Sequence, residues 1–272
     1  MRDRQLLSLF SLKYAPFRPG VPPENLWHPP GSEVFFNRVE ALSAHGGFGL
    51  IEAEPGLGKS KLLQLLSRRL DQFDDVTVGT MERPQSKLGD FYRELGELFG
   101  VPLSVANRYG GFQALRERWR GHIKATLLRP VLLIDEAQEV PTACLNELRL
   151  LSSARFDSES LLTIVLCGDE RLSDRFRSRK LLPLGSRIAT RLMLEPYSVE
   201  VLGGFLNHAL EAAGAPHLMT QGLKQTLCEH AGGNPRILCN MAHNLLMAGC
   251  EREATKLDEE LFLDVFSHRP RA

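Results

Sequence analysis

The sequence predicts an α/β fold, in which a parallel five-stranded sheet is sandwiched by helices and is followed by a small all-helical domain. From Gly47 to Pro196, short and almost wholly apolar runs alternate with helical patterns. Such an alternation is typical of parallel strands that are buried on both faces. After Pro196 the strands stop, and four helical patterns follow, separated by glycine or proline.

Each element of this fold is predicted from its local pattern. The predicted strands span residues 48–53, 76–81, 131–137, 161–168 and 188–194. The predicted helices between them span residues 59–73, 87–100, 112–128 and 144–154, and those after Pro196 span residues 199–213, 218–230, 236–249 and 257–266. We therefore expect a lead-in over residues 1–46 that docks on the core, an α/β domain over 47–196 and a helical lid over 197–272.

Composition excludes several classes of protein. The 272 residues carry 33 basic and 33 acidic side chains, so no overall attraction to nucleic acid or to a membrane surface is implied. The five cysteines form no C-x-x-C pair and their number is odd, which indicates reduced thiols rather than disulfides or zinc ligands. No apolar run approaches membrane-spanning length and the first residues lack a signal-peptide pattern, so we expect a cytoplasmic protein without membrane insertion.

The stretch A-E-P-G-L-G-K-S at residues 53–60 has the layout of a phosphate-binding loop, because it follows an apolar strand and opens a helix. Glycines allow backbone N–H groups to point at phosphate oxygens, and the helix directs its positive end at the same anion. Ala53 replaces the first glycine of the full pattern, which is tolerable if its φ stays negative. The predicted ATP-binding residues here are Glu54, Pro55, Gly56, Leu57, Gly58, Lys59, Ser60 and Lys61, with Lys59 on the β- and γ-phosphates.

A second motif, V-L-L-I-D-E-A-Q at residues 131–138, describes a buried strand that ends in two carboxylates. Asp135 would hold Mg²⁺ together with the hydroxyl of Ser60, and Glu136 would orient and deprotonate the attacking water. An acidic strand end alone is weak evidence. Its position about 75 residues after a phosphate loop predicts a Mg²⁺-dependent ATPase.

These motifs resemble those of the AAA+ ATPases. The segments L-L-I-D-E-A-Q, L-N-E-L-R-L-L-S, I-V-L-C-G-D-E-R-L and the lead-in F-S-L-K-Y-A-P-F are similar to one group in particular. That group contains the ExeA/GspA secretion ATPases and the transposition ATPases TniB, TnsC and MuB. The resemblance covers nearly the whole chain and implies a homo-oligomer, arranged as a ring or a helical filament.

The resemblance also implies roles for four further residues. Asp169 stands where the family senses the γ-phosphate, although a water-positioning or structural role is equally open for an aspartate. Arg187 and Arg191 lie in the region that supplies an arginine finger to a neighbouring subunit, or else form surface ion pairs. Arg236 matches the lid arginine that contacts the γ-phosphate, but Asn234 and Pro235 beside it also fit a helix start with no role in catalysis.

Double-stranded DNA is a candidate partner, bound through its backbone without sequence preference. Arg116, Arg120 and Lys124 recur at four-residue spacing, which places three cations on one helix face. The same face could equally be a solvated surface. A basic stretch at residues 171–180 could contact DNA, a neighbouring subunit or nothing.

Two main hypotheses follow for the biological role, beside a third in which the protein is a replication initiator or loader, a class that resembles this core but usually adds a DNA-reading domain not seen here. In the first, the protein is an ATP-dependent, DNA-binding regulator of transposition that selects or delivers target DNA, recruits a transposase, and disassembles on hydrolysis. In the second, it is an ExeA/GspA-like nucleotide-switched ATPase that assists assembly of a secretion machinery. Because the chain stops soon after the lid, without the membrane span expected of an ExeA-type protein, the sequence favours the first.

Overall fold

The computed structural model describes residues 2–82, 84, 87–102, 108–125, 127–155 and 158–266. The chain divides into two compact units. The helical unit contains residues 1–27, 56–58 and 195–272, and the α/β unit contains residues 28–55 and 59–194. No helix in the described ranges combines the length and the apolar character needed to cross a bilayer.

The α/β unit is built on one parallel sheet of five strands, in the spatial order β2-β3-β6-β1-β7. These strands are β1 (Gly47–Ala53), β2 (Val76–Met81), β3 (Arg129–Ile134), β6 (Thr163–Gly168) and β7 (Ile188–Leu194). The two-residue strands β4 (Ser153–Ala154) and β5 (Glu159–Ser160) form a separate antiparallel pair.

Seven helices belong to the described part of this unit. They are α2 (Ser32–Ser43), α3 (Lys59–Leu70), α4 (Leu88–Leu98), α5 (Arg108–Ala125), α6 (Thr142–Ser152), α7 (Glu170–Phe176) and α8 (Leu182–Gly185). A short 3-10 turn, Ala137–Glu139, follows the end of β3.

The sheet is buried because its strands are apolar on both sides. The central strand β6 is buried along its whole length. One face packs against a cluster that includes the fully buried rings of Phe91 and Trp119, with Trp119 lying edge-on to Phe99 at 5.4 Å between ring centroids. Burial on both faces explains why these strands read as continuous apolar runs.

The helical unit buries a second apolar cluster. Its helices are α1 (Arg2–Leu9), α9 (Val199–Ala212), α10 (Gln221–His230), α11 (Pro235–Glu251) and α12 (Glu259–Phe266). Leu6, Phe10, Leu12 and Phe17 from the lead-in are part of the same cluster. The start of the chain therefore completes the core of the C-terminal helices.

The predicted fold class is confirmed, and the structure refines its boundaries. All five predicted strands exist, but β3 ends at Ile134 rather than at residue 137, because a turn begins at Asp135. The structure divides the predicted lead-in, since residues 1–27 group with the helical unit and residues 28–46 with the α/β unit. Helices α7 and α8, which the sequence analysis did not predict, lie between β6 and β7.

Candidate active site

Three neighbouring strands of the sheet end at the predicted site. Because β6 lies between β3 and β1, the carboxyl end of β6 is flanked by the acidic end of β3 and by the glycine loop that follows β1. The strands are parallel, so these ends share one edge of the sheet, which is where open α/β sheets bind ligands. The strand order thus brings Lys59, Asp135 and Asp169 into one neighbourhood.

The loop after β1 needs glycine at two positions. Gly56 and Gly58 have φ of +95° and +99°, which side chains other than glycine rarely adopt. Ala53, which stands in place of the first glycine of the motif, is the last residue of β1 and is absent from the positive-φ residues of the described chain. The condition for an alanine at this position is therefore met.

Lys59 is oriented by the loop itself. Its side chain is only 7% exposed, and its ammonium group donates to the carbonyl oxygens of Ala53 at 2.7 Å and Glu54 at 3.2 Å. The ammonium charge is therefore held at the start of the loop by two neutral carbonyl oxygens. Phosphate oxygens can take their place, because they are negatively charged and accept stronger, charge-assisted hydrogen bonds. Ser60 follows as an exposed residue in the first turn of α3.

Within the helical unit, the loop tip at residues 56–58 contacts the start of α11. The backbone N–H of Arg236 donates to the Gly56 carbonyl at 3.3 Å, and the Tyr197 hydroxyl donates to the Leu57 carbonyl at 3.2 Å. Asn234 caps α11 by accepting hydrogen bonds from the N–H groups of residues 236 and 237, with Pro235 in the first turn. The side chain of Arg236 is exposed.

The end of β3 presents two carboxylates in different settings. Asp135 is half-buried, and its Oδ1 accepts the backbone N–H of Glu136 at 2.9 Å. Glu136 is exposed, has a positive φ of 49°, and accepts a hydrogen bond from the side-chain amide of Gln138. A non-glycine residue in this conformation is uncommon and is found disproportionately at functional sites.

Asp169, which lies between β6 and α7, makes structural contacts. Its carboxylate caps α7 by accepting the Arg171 N–H at 3.1 Å, and it also forms an ion pair with the Arg171 guanidinium at 2.7 Å. The Arg171 side chain lowers the pKa of Asp169, and the Lys59 ammonium adds to that shift. These contacts support a structural role for Asp169 among the alternatives of sensing the γ-phosphate, positioning a water or stabilising the fold.

A buried thiol lies beneath the carboxylates. Burial raises the pKa of the Cys167 thiol well above its ordinary value, and the negative charges of Asp135 and Glu136 act in the same direction, whereas Lys59 opposes them. Lys59, Asp135 and Glu136 are therefore close enough to the Cys167 thiol to act on it electrostatically. The thiol stays protonated and can donate to the Asp135 carboxylate.

The donor set fits a magnesium ion held mainly by phosphate and water. Among the residues that the structure describes, no three acidic, histidine or cysteine side chains converge as a metal cage. Mg²⁺ bound to nucleotide does not require such a cage, because it takes one or two protein oxygens and keeps several waters. The Ser60 hydroxyl and the Asp135 carboxylate are suitable oxygens, since both are on this edge of the sheet.

Arg187 and Arg191 lie away from the loop of their own chain. Arg187 immediately precedes β7, at the opposite end of the strand from the loop, and donates from Nε to the Pro183 carbonyl at 3.1 Å. Six residues of parallel strand separate that end from Ala53, a distance of about 20 Å. Arg191 is exposed in the middle of the edge strand, opposite Leu50. Neither side chain extends far enough to reach the loop.

The predicted DNA-binding face of α5 is only partly available. The Arg116 guanidinium donates to the carbonyls of Leu150 at 2.8 Å and Ser153, at the C-terminal end of α6, and it lies over the Phe112 ring. This side chain therefore caps a helix, a role that four-residue spacing could not reveal. Lys124 is exposed and Arg120 half-buried.

The basic stretch after Asp169 is also largely engaged within the chain. Arg171 pairs with Asp169 and Glu139, Arg175 donates to two backbone carbonyls, and Arg177 pairs with Asp174. These bonds clamp α7 to the turn after β3. Of the three alternatives for this segment, contact with DNA, with a neighbouring subunit or with neither, these contacts support neither of the first two.

Comparison with known proteins finds a matching family model and similar solved structures. Residues 42–176 match the family model described as an AAA domain. The structure of Cdc6p from Pyrobaculum aerophilum matches with a TM-score of 0.70 at 14% identity, over 89% of this chain and 67% of that one. The ORC2 protein of Aeropyrum pernix, solved in ADPNP-ADP complexes, matches with a TM-score of 0.68 at 16% identity, over 93% and 71% of the two chains.

The fold is that of the P-loop AAA+ ATPases. The AAA domain match lies over β1 to α7, the elements that carry the loop and both acidic strand ends, and these findings indicate a P-loop ATPase. The prediction that the protein is an ATPase of the P-loop class is thus confirmed. A likeness at 14–16% identity shows the fold alone, so it assigns no partner.

One curated relative narrows the resemblance. The chain is 29% identical over 220 residues to general secretion pathway protein A of Aeromonas hydrophila. The aligned region covers 79% of this chain and 39% of that protein. The chain thus spans about two fifths of the relative's length, so chain length does not discriminate between secretion and transposition. This relative favours the ExeA/GspA type that the sequence analysis offered as its second hypothesis.

Two contributors to the site were not predicted from the sequence. Gln138 ends the motif at residues 131–138, and Arg175 lies in the basic stretch at residues 171–180. Neither the motif nor the stretch predicts a role for these two residues. The single available signal was that Gln138 follows two carboxylates in an otherwise apolar stretch. Their contacts depend on how α7 packs, which no local pattern encodes.

Proposed function

We propose that this protein is a nucleotide-switched ATPase that assists assembly of a secretion machinery. The ATPase assignment is supported chiefly by one observation, that the glycine loop with Lys59 follows β1 and the carboxylates Asp135 and Glu136 follow β3 at the same edge of the parallel sheet, on either side of β6. The secretion role is supported by the 29% identity to general secretion pathway protein A.

The residues would act on ATP in the following way. The loop amides and Lys59 would bind the β- and γ-phosphates, and Ser60 and Asp135 would hold Mg²⁺, which neutralises charge on the phosphates. Glu136, exposed at the strand end, would orient a water and accept its proton. Hydrolysis would then remove the γ-phosphate contacts and switch the protein between two states.

Completion of the site from outside the chain is part of this proposal. Arg187 lies about a full strand length from its own loop, so it is suited to serve a neighbouring subunit, and Arg191 is an exposed alternative on the same edge strand. Arg236, whose side chain is exposed at the start of α11, is proposed as the arginine that meets the γ-phosphate. Such a site would couple ATP binding to formation of a homo-oligomer.

Two substitutions test the ATPase assignment. Lys59→Ala should abolish ATP binding measured by calorimetry, because the phosphates lose their principal cation. Glu136→Gln should bind ATP normally but release phosphate at least about 100-fold more slowly, since a neutral amide cannot accept the water's proton. Lys256→Ala, at an exposed lysine outside the loop, is the control. Unchanged ATP affinity in Lys59→Ala, or unchanged turnover in Glu136→Gln, would contradict the assignment.

A second experiment separates secretion from transposition. The transposition hypothesis requires ATP-dependent retention on a non-specific DNA duplex, with Arg120 and Lys124 as the remaining cations of the predicted face beside Arg116. We expect no more retention with ATP than without nucleotide. If ATP increases retention, and Arg120→Glu with Lys124→Glu removes the increase and reduces its salt dependence, the transposition hypothesis with a transposase partner replaces the secretion role.

A further inference from the structure

A single buried amide links two strand ends of the site. Gln138 is only 7% exposed, and its Nε2 donates to Oε2 of Glu136 while its Oε1 accepts the backbone N–H of Asp169 at 3.3 Å. One partner is an acceptor and the other a donor, so only one orientation of the amide satisfies both. The side chain therefore joins the carboxylate after β3 to the residue that follows β6.

The amide packs directly against the backbone of Gly168. A Cβ at Gly168 would lie 2.6 Å from Oε1 of Gln138 and 3.0 Å from the Leu172 side chain. Glycine at position 168 thus makes room for the amide directly beneath the strand end. This close approach is a second observation, independent of the hydrogen bonds, that the position of Gln138 is specified.

The backbone of Gln138 is fixed as well. The Arg175 guanidinium donates to the carbonyls of Gln138 and Val140, both at 2.6 Å. Nη2 of Arg171 donates both to the Asp169 carboxylate at 2.7 Å and to the carboxylate of Glu139, the residue after Gln138, at 2.9 Å. Helix α7, which starts at the end of β6, therefore clamps the turn that carries the amide.

The carboxylate that the amide holds sits on an unusual backbone. Glu136 has a φ of 49°, a conformation that is strained for a residue other than glycine. Its side chain is exposed and would otherwise sample several rotamers. A fixed donor on Oε2 selects among them and leaves Oε1 of Glu136 for a water.

We propose that Gln138 is a positioning residue, which holds the Glu136 carboxylate for its water and ties that carboxylate to the end of β6. This inference rests on the proposed function, since it assigns a role within the same hydrolytic site. If binding of the γ-phosphate shifts Asp169 after β6, the shift would reach Glu136 through two hydrogen bonds, from the Asp169 N–H to Gln138 and from Gln138 to the Glu136 carboxylate. The amide cannot titrate, so the link operates at any physiological pH.

Two variants test the role. Gln138→Leu has a similar volume and removes both hydrogen bonds, whereas Gln138→Glu, as a carboxylate, keeps an acceptor for the Asp169 N–H but has no proton to donate to Glu136. The matched control is Gln225→Leu, since Gln225 makes the same amide-to-carboxylate bond with Glu229 at 2.7 Å on the exposed surface of α10. ATP affinity is measured by calorimetry and turnover by phosphate release.

A positioning role predicts a split between affinity and turnover. We expect both Gln138 variants to bind ATP within about twofold of wild type and to lose about 10- to 100-fold in kcat, as for other small misplacements of a catalytic group. Gln225→Leu should match wild type in both. If Gln138→Leu fails to fold, the nearly isosteric Gln138→Glu decides alone.

Other outcomes overturn the inference. Loss of ATP affinity in parallel with kcat would make Gln138 a structural residue, and wild-type kcat in either variant would remove it from the reaction. These failures leave the proposed function standing, because the wild-type protein still hydrolyses ATP. A wild-type protein that binds ATP but releases no phosphate would contradict both proposals.

Discussion

Arg116→Met is expected to destabilise the α/β unit by about 2 kcal/mol, because the guanidinium closes the end of α6. The arginine donates to the carbonyls of Leu150 and Ser153, which lie where the helix leaves its last carbonyl groups without partners. Two bonds from a charged donor are worth about 1.5–3 kcal/mol each when buried. The side chain is half-buried, so water recovers part of that loss and about 2 kcal/mol remains. Methionine keeps the apolar stem over Phe112.

The assay is urea unfolding without nucleotide, followed by fluorescence of Trp119, which is fully buried on the same helix. A Trp27→Phe background removes the second tryptophan. Arg120→Met is the matched control. Burial lowers the pKa of Arg116, and repulsion from the neighbouring Arg120 lowers it further, so the two arginines are close together. Arg120→Met should change stability by less than about 0.5 kcal/mol. The cap assignment is refuted if Arg116→Met unfolds at the same urea concentration as wild type.

Two further predictions follow from the loop and from Asp169. Gly56→Ala should cost about 1 kcal/mol more than Gly58→Ala in urea unfolding, because both share the strain of a positive φ but only the Gly56 Cβ meets the capping Asn234 oxygen, at 2.5 Å; equal costs would contradict this account. Asp169→Asn should destabilise the protein most near neutral pH. The paired Arg171 lowers the pKa of Asp169 in the folded state, so its stabilisation is present above the unfolded pKa of about 3.9 and is lost as the pH falls through the lower folded pKa. A difference between wild type and variant that stays constant down to about pH 3 would show that the ion pair contributes nothing.

The sequence predicted the parallel sheet because burial on both faces forces strands to be apolar throughout. It missed α7 because a seven-residue helix with only two apolar side chains, Leu172 and Phe176, is too short for an apolar period to be recognised. The end of β3 was placed too late for a related reason. Ala137 is fully buried and continues the apolar pattern, although Glu136 already has left-handed backbone geometry.

The roles of the basic residues show the limit of spacing arguments. Arg116, Arg120 and Lys124 do share a face of α5, as their four-residue recurrence requires. Whether that face meets solvent, DNA or another helix depends on what packs beside it. The carbonyls of residues 150 and 153, more than thirty positions later, engage one of the three.

By itself the sequence determined the elements of the machinery: a glycine loop with its lysine, a strand that ends in two carboxylates, and five strands that must be buried. These features are local, since each depends on residues within a few positions of one another. Tertiary structure alone decided that β6 lies between the other two strand ends, that the first 27 residues complete the helical core, and that Gln138 and Arg175 hold the turn beside Glu136. The physical reason is that strand order and the partners of a buried polar group depend on contacts between residues distant in the chain, which no local spacing specifies.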